Sequence, residues 1–280
     1  MEIVDAHQHL GSIDHCLSHF GETRAEPPDG EDAVRRSSAL GAAGIDWAVI
    51  QPSHGYLLPD GIKDTMRINN RMAAYRNLDP QRFRAVVGTV EPRSGERALD
   101  EITRAKTELA LDGLSWHHRF QGCYIDSQWM WPILRRMSEL DMVAVFHTNA
   151  ESSLEAPWRL QRLAKEFPQM NFVAHDGLWT YERAVHILST AHETPNVIWD
   201  LGGPASYVPI EKWVELNGST TACFSANFSY TGSAAHKPQL LDLIENAKIA
   251  AEDKANILGK NLSRVFKVRS KQTANDGKIK

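Results

Sequence analysis

Val143-Ala144-Val145-Phe146-His147 and Asn171-Phe172-Val173-Ala174-His175 share one form: a short apolar run that stops on a histidine. Runs of that length and composition read as strands buried on both faces, as in a parallel sheet covered by helices. Outward from these two, the same pattern fills the chain. Strands are expected over residues 3–7, 46–51, 84–90, 113–117, 142–147, 171–175, 196–201 and 222–227. Amphipathic stretches predict helices over residues 31–40, 65–78, 95–108, 128–140, 154–167, 181–192, 209–215 and 238–246. Asp79-Pro80 and Phe167-Pro168 stop helices just before a strand, because proline bars the helical conformation in the residue preceding it.

Eight strand–helix repeats are the number of a TIM barrel, yet a doubly wound open sheet alternates in the same way. The strand ends decide between them. At or just beyond those ends stand His7, His9, His54, Glu91, His117, His147, His175, Asp200 and Asn227. An open sheet gathers its site at one switch point, whereas a barrel collects functional groups from the C-terminal ends of many strands. The ring therefore predicts a single α/β (β/α)8 TIM barrel over residues 1–268. Residues 251–257 and 262–268 add a helical pair that closes the bottom or flanks the wall. The lysine-rich segment 269–280 reads as a polar, disordered tail.

Composition excludes several classes. With 31 Lys+Arg against 35 Asp+Glu, the formal charge of −4 offers no basic excess for nucleic acid or an anionic membrane. Cys16, Cys123 and Cys223 are far apart and odd in number, which argues against a disulfide framework and for a reducing compartment. Acids stand where a signal peptide carries Lys or Arg, and no apolar run approaches the ~20 residues of a membrane span. A cytoplasmic protein is expected, with a small-molecule substrate as partner and a homodimer compatible with the chain. There is no G-x-S-x-G elbow, no Walker loop, no G-x-G-x-x-G fingerprint and no H-E-x-x-H.

The chemistry concentrates in Asp5-Ala6-His7-Gln8-His9. Strand side chains alternate with period two, so Asp5, His7 and His9 are expected on one face, the barrel interior. Two imidazoles one step apart can chelate a divalent ion, with Asp5 beneath them as an orienting group. Two histidines on a half-exposed strand would satisfy the motif equally well. His147 and His175 tip the balance: each is last on a buried strand and so points to the mouth, where it meets ligand rather than core. Further substrate-contact candidates are His54, Glu91, Arg119 (a partner for a carboxylate) and the tryptophans Trp116, Trp179 and Trp199, which would wall a pocket for a flat substrate. Residues 11–30, with Asp14, His15, Cys16, His19 and Arg24, read as a long loop covering the site.

D-A-H-x-H at the N-terminus, V-F-H-T-N, V-A-H-D-G and the closing N-I-L-G-K-N-L-S-R-V-F together resemble the amidohydrolase superfamily over the whole chain. The most similar subgroup is the amidohydrolase-related one, which includes aminocarboxymuconate-semialdehyde decarboxylase, resorcylate-type decarboxylases and sugar or pyrone-dicarboxylate lactonases. The resemblance implies a distorted TIM barrel holding one divalent metal, usually zinc. It makes His7, His9 and His147 ligands, His175 a catalytic histidine near metal-bound water, and His117 a residue facing substrate. The chain departs from the family at the eighth strand. There Phe224-Ser225-Ala226-Asn227-Phe228 puts Asn227 where the family carries an aspartate that takes a proton from water. An amide cannot act as that base, whose removal costs about 10²–10⁴-fold. Either the base has been replaced, or the chemistry does not need it; Asp200 is a partial substitute or the orienter of a histidine. The leading expectation is hydrolysis of a small cyclic ester or amide by metal-activated water. The alternatives are non-oxidative decarboxylation of an aromatic or muconate-type acid, and an inactive barrel that only binds a small molecule.

Overall fold

The structure is a computed structural model that describes residues 1–11, 27–53, 60–148, 152–202, 209–226 and 238–268. Its strands are β1 (Val4–Leu10), β2 (Trp47–Pro52), β3 (Ala85–Gly88), β4 (Gly113–Trp116), β5 (Val143–His147), β6 (Phe172–His175), β7 (Val197–Asp200) and β8 (Ala222–Cys223). They pair in parallel and in chain order. The Ala6 N–H donates to Phe224 O across 3.1 Å, which joins the end of the sheet to its beginning and closes the cylinder. The helices that cover it are α1 (Asp29–Ala42), α2 (Ile62–Arg76), α3 (Glu96–Thr107), α4 (His118–Gln121), α5 (Met130–Glu139), α6 (Pro157–Glu166), α7 (Tyr181–Thr190), α8 (Ile210–Asn217) and α9 (Gln239–Asn246). Among the described residues no helix is long and apolar enough to cross a membrane.

Alternation along the strands builds two cores. Val4, Trp47, Val49, Val87, Val145 and Val173 point inward and fill the lower barrel, while Ile50, Leu114, Trp116, Phe146, Phe172 and Trp199 point outward beneath the helices. On β5 the inward column reads Val143, Val145, His147, so the packing that buries two valines also lifts an imidazole to the mouth. The expected C-terminal pair is α10 (Ala251–Ala255) and α11 (Asn261–Val265), joined through a π turn at Asn256–Lys260. It closes the bottom: Leu262, Val265 and Phe266 join the inner core. Gly259 lets that turn lie against the chain entering β1, since a Cβ there would stand 2.4 Å from Glu2 O.

One buried cation ties α1 to the strand that matters most. Arg36 donates to Gln8 Oε1 (3.0 Å), His9 O (3.1 Å), Tyr75 Oη (3.0 Å) and Asp32 Oδ2 (3.0 Å). Arg36→Met is expected to cost about 1–3 kcal/mol, because it leaves the buried acceptors on Gln8 and His9 unpaired and removes the cation beside half-buried Asp32. A urea midpoint equal to the parent's would contradict it.

Candidate metal centre at the barrel mouth

Strict alternation places Asp5, His7 and His9 together, and the structure corrects that. Asp5 pairs with Ala48, but Gln8 pairs with Ile50, so Ala6-His7 spans the place of Val49 alone. This is a β-bulge. Ala48 and Ile50 face outward, and so do their partners Asp5 and Gln8. After the bulge His7 and His9 face inward above Val4 and Ala6. Asp5 is thus not beneath the histidines. It sits on the outer face and holds the bulge, accepting from His7 N (3.0 Å), Gln8 Nε2 (2.8 Å) and Ala226 N (2.9 Å). Burial pushes its carboxyl up to about 6 against the pull of those bonds.

The three Nε2 atoms of His7, His9 and His147 converge, with separations of 3.0, 3.2 and 3.2 Å. His9 Nδ1 lies 2.9 Å from Pro52 O and His147 Nδ1 lies 2.9 Å from Trp116 O. A carbonyl only accepts, so both rings carry their proton on Nδ1 and turn an Nε2 lone pair inward. Two lone pairs facing each other repel; a divalent cation between them is the natural partner. Ligands about 2.0–2.1 Å from a tetrahedral zinc stand roughly 3.3–3.4 Å apart, so the triangle fits one with a shift of a few tenths of an ångström. Burial and the neighbouring imidazoles hold His147 well below the usual histidine range, which keeps it a neutral ligand.

Among the described residues three acids lie around the triangle. Asp200 Oδ2 accepts from His175 Nδ1 (3.1 Å), while Oδ1 accepts from Gly202 N and Ser225 Oγ (2.6 Å each). Burial opposes its charge, but the bonds to His175 and His7 win and hold its carboxyl well below the usual range. His175 itself is lowered to about 4, mainly by burial, and its Nε2 is buried without a partner among the described residues. His7 stacks on His175 at 4.0 Å, with its Nδ1 3.5 Å from Asp200 and 3.8 Å from Asp176. Burial pulls the His7 pKa down, yet those two acids leave it raised. The field that favours a proton on His7 equally favours a cation at its other nitrogen. Asp200→Asn is expected to weaken divalent-metal binding by about 10–100-fold, the usual loss for a carboxylate that orients ligands. Titration against a chelator checks it; parent-like affinity would contradict it.

The third acid is Glu155, on a short 3-10 turn, Ser153–Glu155. It is fully buried, bonded to His117 Nδ1 and to the Arg119 N–H (2.9 Å), and its Oε2 has no partner. Burial pushes its carboxyl up to about 8. His117 in turn stacks on His147, centroids 4.4 Å apart and planes 4° from parallel. The structure places His117, His147, His175 and the Arg119 amide around Glu155 and the triangle, and Trp179 stands 36% exposed in the turn after β6. Trp116 and Trp199 wall no pocket: alternation points both outward into the core under the helices. Glu91 is bonded to Arg93 Nε at 2.6 Å. His54, Asn227 and the candidates of the loop after β1 lie outside the described residues, as does the tail from residue 269. Sequence reading missed Glu155, Asp176 and Gln51, whose buried amide atoms have no partner at the top of β2. Asp176 and Gln51 were legible as residues at strand ends; Glu155 left no such signal.

Solved structures share the fold. The 5-carboxyvanillate decarboxylase of Sphingomonas paucimobilis superposes with a TM-score of 0.70 at 17% identity, over 96% of this chain and 99% of that one. The Novosphingobium aromaticivorans 5-carboxyvanillate decarboxylase, holding manganese and 4-hydroxy-3-methoxy-5-nitrobenzoic acid, gives 0.70 at 16% identity over 95% and 96%. A 2,6-dihydroxybenzoate decarboxylase from Rhizobium gives 0.69 at 15% over 96% and 99%. No curated protein sequence gives a significant match. The amidohydrolase family model matches residues 4–268, from the first residue of β1 to the last described residue. This chain belongs to the amidohydrolase family.

Proposed function

We propose that this protein is a metal-dependent decarboxylase of a small aromatic or muconate-type carboxylic acid. The observation that carries the reading is Glu155: a buried carboxyl held near 8, hence largely in its acid form at neutral pH, and bonded to a histidine that stacks on the candidate ligand His147. Hydrolysis needs a group that takes a proton from water; decarboxylation needs one that gives a proton to carbon. Asn227 carries an amide and so supplies no base. The likeness in fold to three decarboxylases of aromatic acids supports the same choice.

His7, His9 and His147 would hold the ion. Their three imidazoles suit zinc, while the Novosphingobium relative carries manganese. A bound divalent ion would act as a Lewis acid that fixes the substrate's oxygens. Arg119, whose Nε is buried without a partner, pairs with the substrate's anionic group, and Trp179 faces its ring. Glu155 passes its proton to His117 Nδ1 while His117 delivers the proton on Nε2 to the ring carbon. The electron pair of the breaking carbon–carbon bond takes that proton, and carbon dioxide leaves. Solvent then returns a proton to His117 Nε2 as the proton on Nδ1 goes back to Glu155, which restores the starting state.

A second reading has its own observation. His175, with Nδ1 on Asp200 and an unpartnered neutral Nε2, can accept a proton from water, as ring opening of a cyclic ester or amide requires. Metal-loaded protein given carboxyl-labelled hydroxybenzoates and muconate-type acids, and separately lactones and cyclic amides, tests both. Labelled carbon dioxide, reduced about 10²–10⁴-fold by Glu155→Gln, is the expected result. Acid release from lactones or amides without carbon dioxide favours hydrolysis. Turnover of neither class leaves a barrel that only binds.

A further inference from the structure

We propose that Asp176 is a carboxylate ligand of the metal centre and supplies the negative charge that Asn227 cannot. This deepens the metal-centre reading and rests on it, but not on the reaction performed there. Asp176 directly follows His175 and adopts φ = +62°, a left-handed conformation uncommon for a residue other than glycine. Such conformations persist where the surroundings impose them, and they gather at functional sites. Here the surroundings do impose it. His175 O accepts from both Thr148 N (2.8 Å) and Thr148 Oγ1 (2.7 Å), which fixes the peptide entering Asp176. On the other side Gly177 is wedged so tightly that a Cβ would stand 2.7 Å from Ile187 Cδ1 and 2.8 Å from Thr148 Oγ1.

The carboxylate so placed is buried among the histidines. One of its oxygens and one nitrogen each of His117 and His147 lie within 4.8 Å of one another. Its Oδ1 is also 3.8 Å from His7 Nδ1. Among the described residues the other acids hold partners: Asp5 the bulge, Asp200 His175, Gly202 and Ser225, and Glu155, through Oε1, His117 and the Arg119 amide. Asp176 accepts no hydrogen bond from any described residue, so its lone pairs are available to a cation. Imidazole ligands bring no negative charge to a divalent ion, and Asp176, grouped with the shared ligand His147, offers it an oxygen anion.

The experiment measures metal binding by the full chain, with no substrate present. Apoprotein of the parent and of Asp176→Asn competes with a chromophoric chelator for Zn²⁺ and for Mn²⁺, and Co²⁺ absorption spectra report the coordination of each. Asparagine tolerates the left-handed conformation and nearly matches the volume, so the apoprotein should fold; Asp176→Gly, which suits the same φ, serves if it does not. Expected are an affinity lower by at least about ten-fold and an altered cobalt spectrum. Unchanged affinity with an unchanged spectrum would overturn the inference and leave the histidine centre standing. A parent that binds none of the three ions would overturn both. Neither result bears on decarboxylation against hydrolysis.

Discussion

His147→Ala is expected to come through purification without its divalent metal and to bind added Zn²⁺ or Mn²⁺ more than about 100-fold more weakly than the parent. That exceeds the ~10–100-fold lost with an orienting partner, because a donor itself disappears. The triangle of Nε2 atoms has sides of 3.0–3.2 Å, and two nitrogens plus a water cannot reproduce it. Turnover should fall in step with metal content, since the ion and the site's charge balance are lost together. His186→Ala, at a half-exposed histidine on α7, is the control and should retain the metal. Equal metal-to-protein ratios in parent, His147→Ala and His186→Ala would remove the centre.

The second large effect concerns stability. His118 is fully buried on the outer side of the barrel, stacked on Phe146 with centroids 5.5 Å apart, and neither ring nitrogen has a hydrogen-bond partner among the described residues. Burial alone pulls it from 6.5 to about 3. In the folded protein it stays neutral, whereas in the unfolded chain it takes a proton as the pH drops through 6.5. The unfolded state then binds more protons, so stability declines from pH 6.5 down to about 3 and is unaffected above that window. The difference between those values corresponds to on the order of 5 kcal/mol at the acid end. His118→Leu should remove this loss, shift the acid-unfolding midpoint downward, and add about 1–3 kcal/mol at neutral pH by deleting an unpaired buried polar group. Urea titrations at pH 4 and pH 7.5 check it. A parent and variant that lose the same stability between those two pH values would contradict the assignment.

His118 also shows where sequence reading stops. Beside His117 it looks like a second mouth residue, yet just past β4 His117 stacks on His147 while His118, the first residue of α4, stacks on Phe146 in the apolar layer. Trp116 and Trp199 fail as pocket walls for the same reason: strand ends carry residues of both faces, and parity, not position, chooses between mouth and core. His147 and His175 were legible because their strands are regular, so counting in twos from the valines reaches them. His7 and His9 were legible as a pair, but the company of Asp5 was not, because a bulge restarts the count. Glu155 left no trace at all: it lies in a loop after β5, and its partner is 38 residues earlier.

The amino-acid sequence by itself determined the eight-fold alternation and the histidines at the strand ends. Those depend on local matters, such as which residues alternate, which branch at Cβ and where proline or glycine breaks a helix. The tertiary structure decided the rest: the bulge that turns His7 and His9 inward, the spacing of three Nε2 atoms, and the acids that surround them. The bulge is held by a bond between Asp5 and Ala226, 221 residues apart, and no periodicity reaches that far. Closure of the barrel brings those groups within hydrogen-bonding distance, and with closure the site's charges acquire their partners.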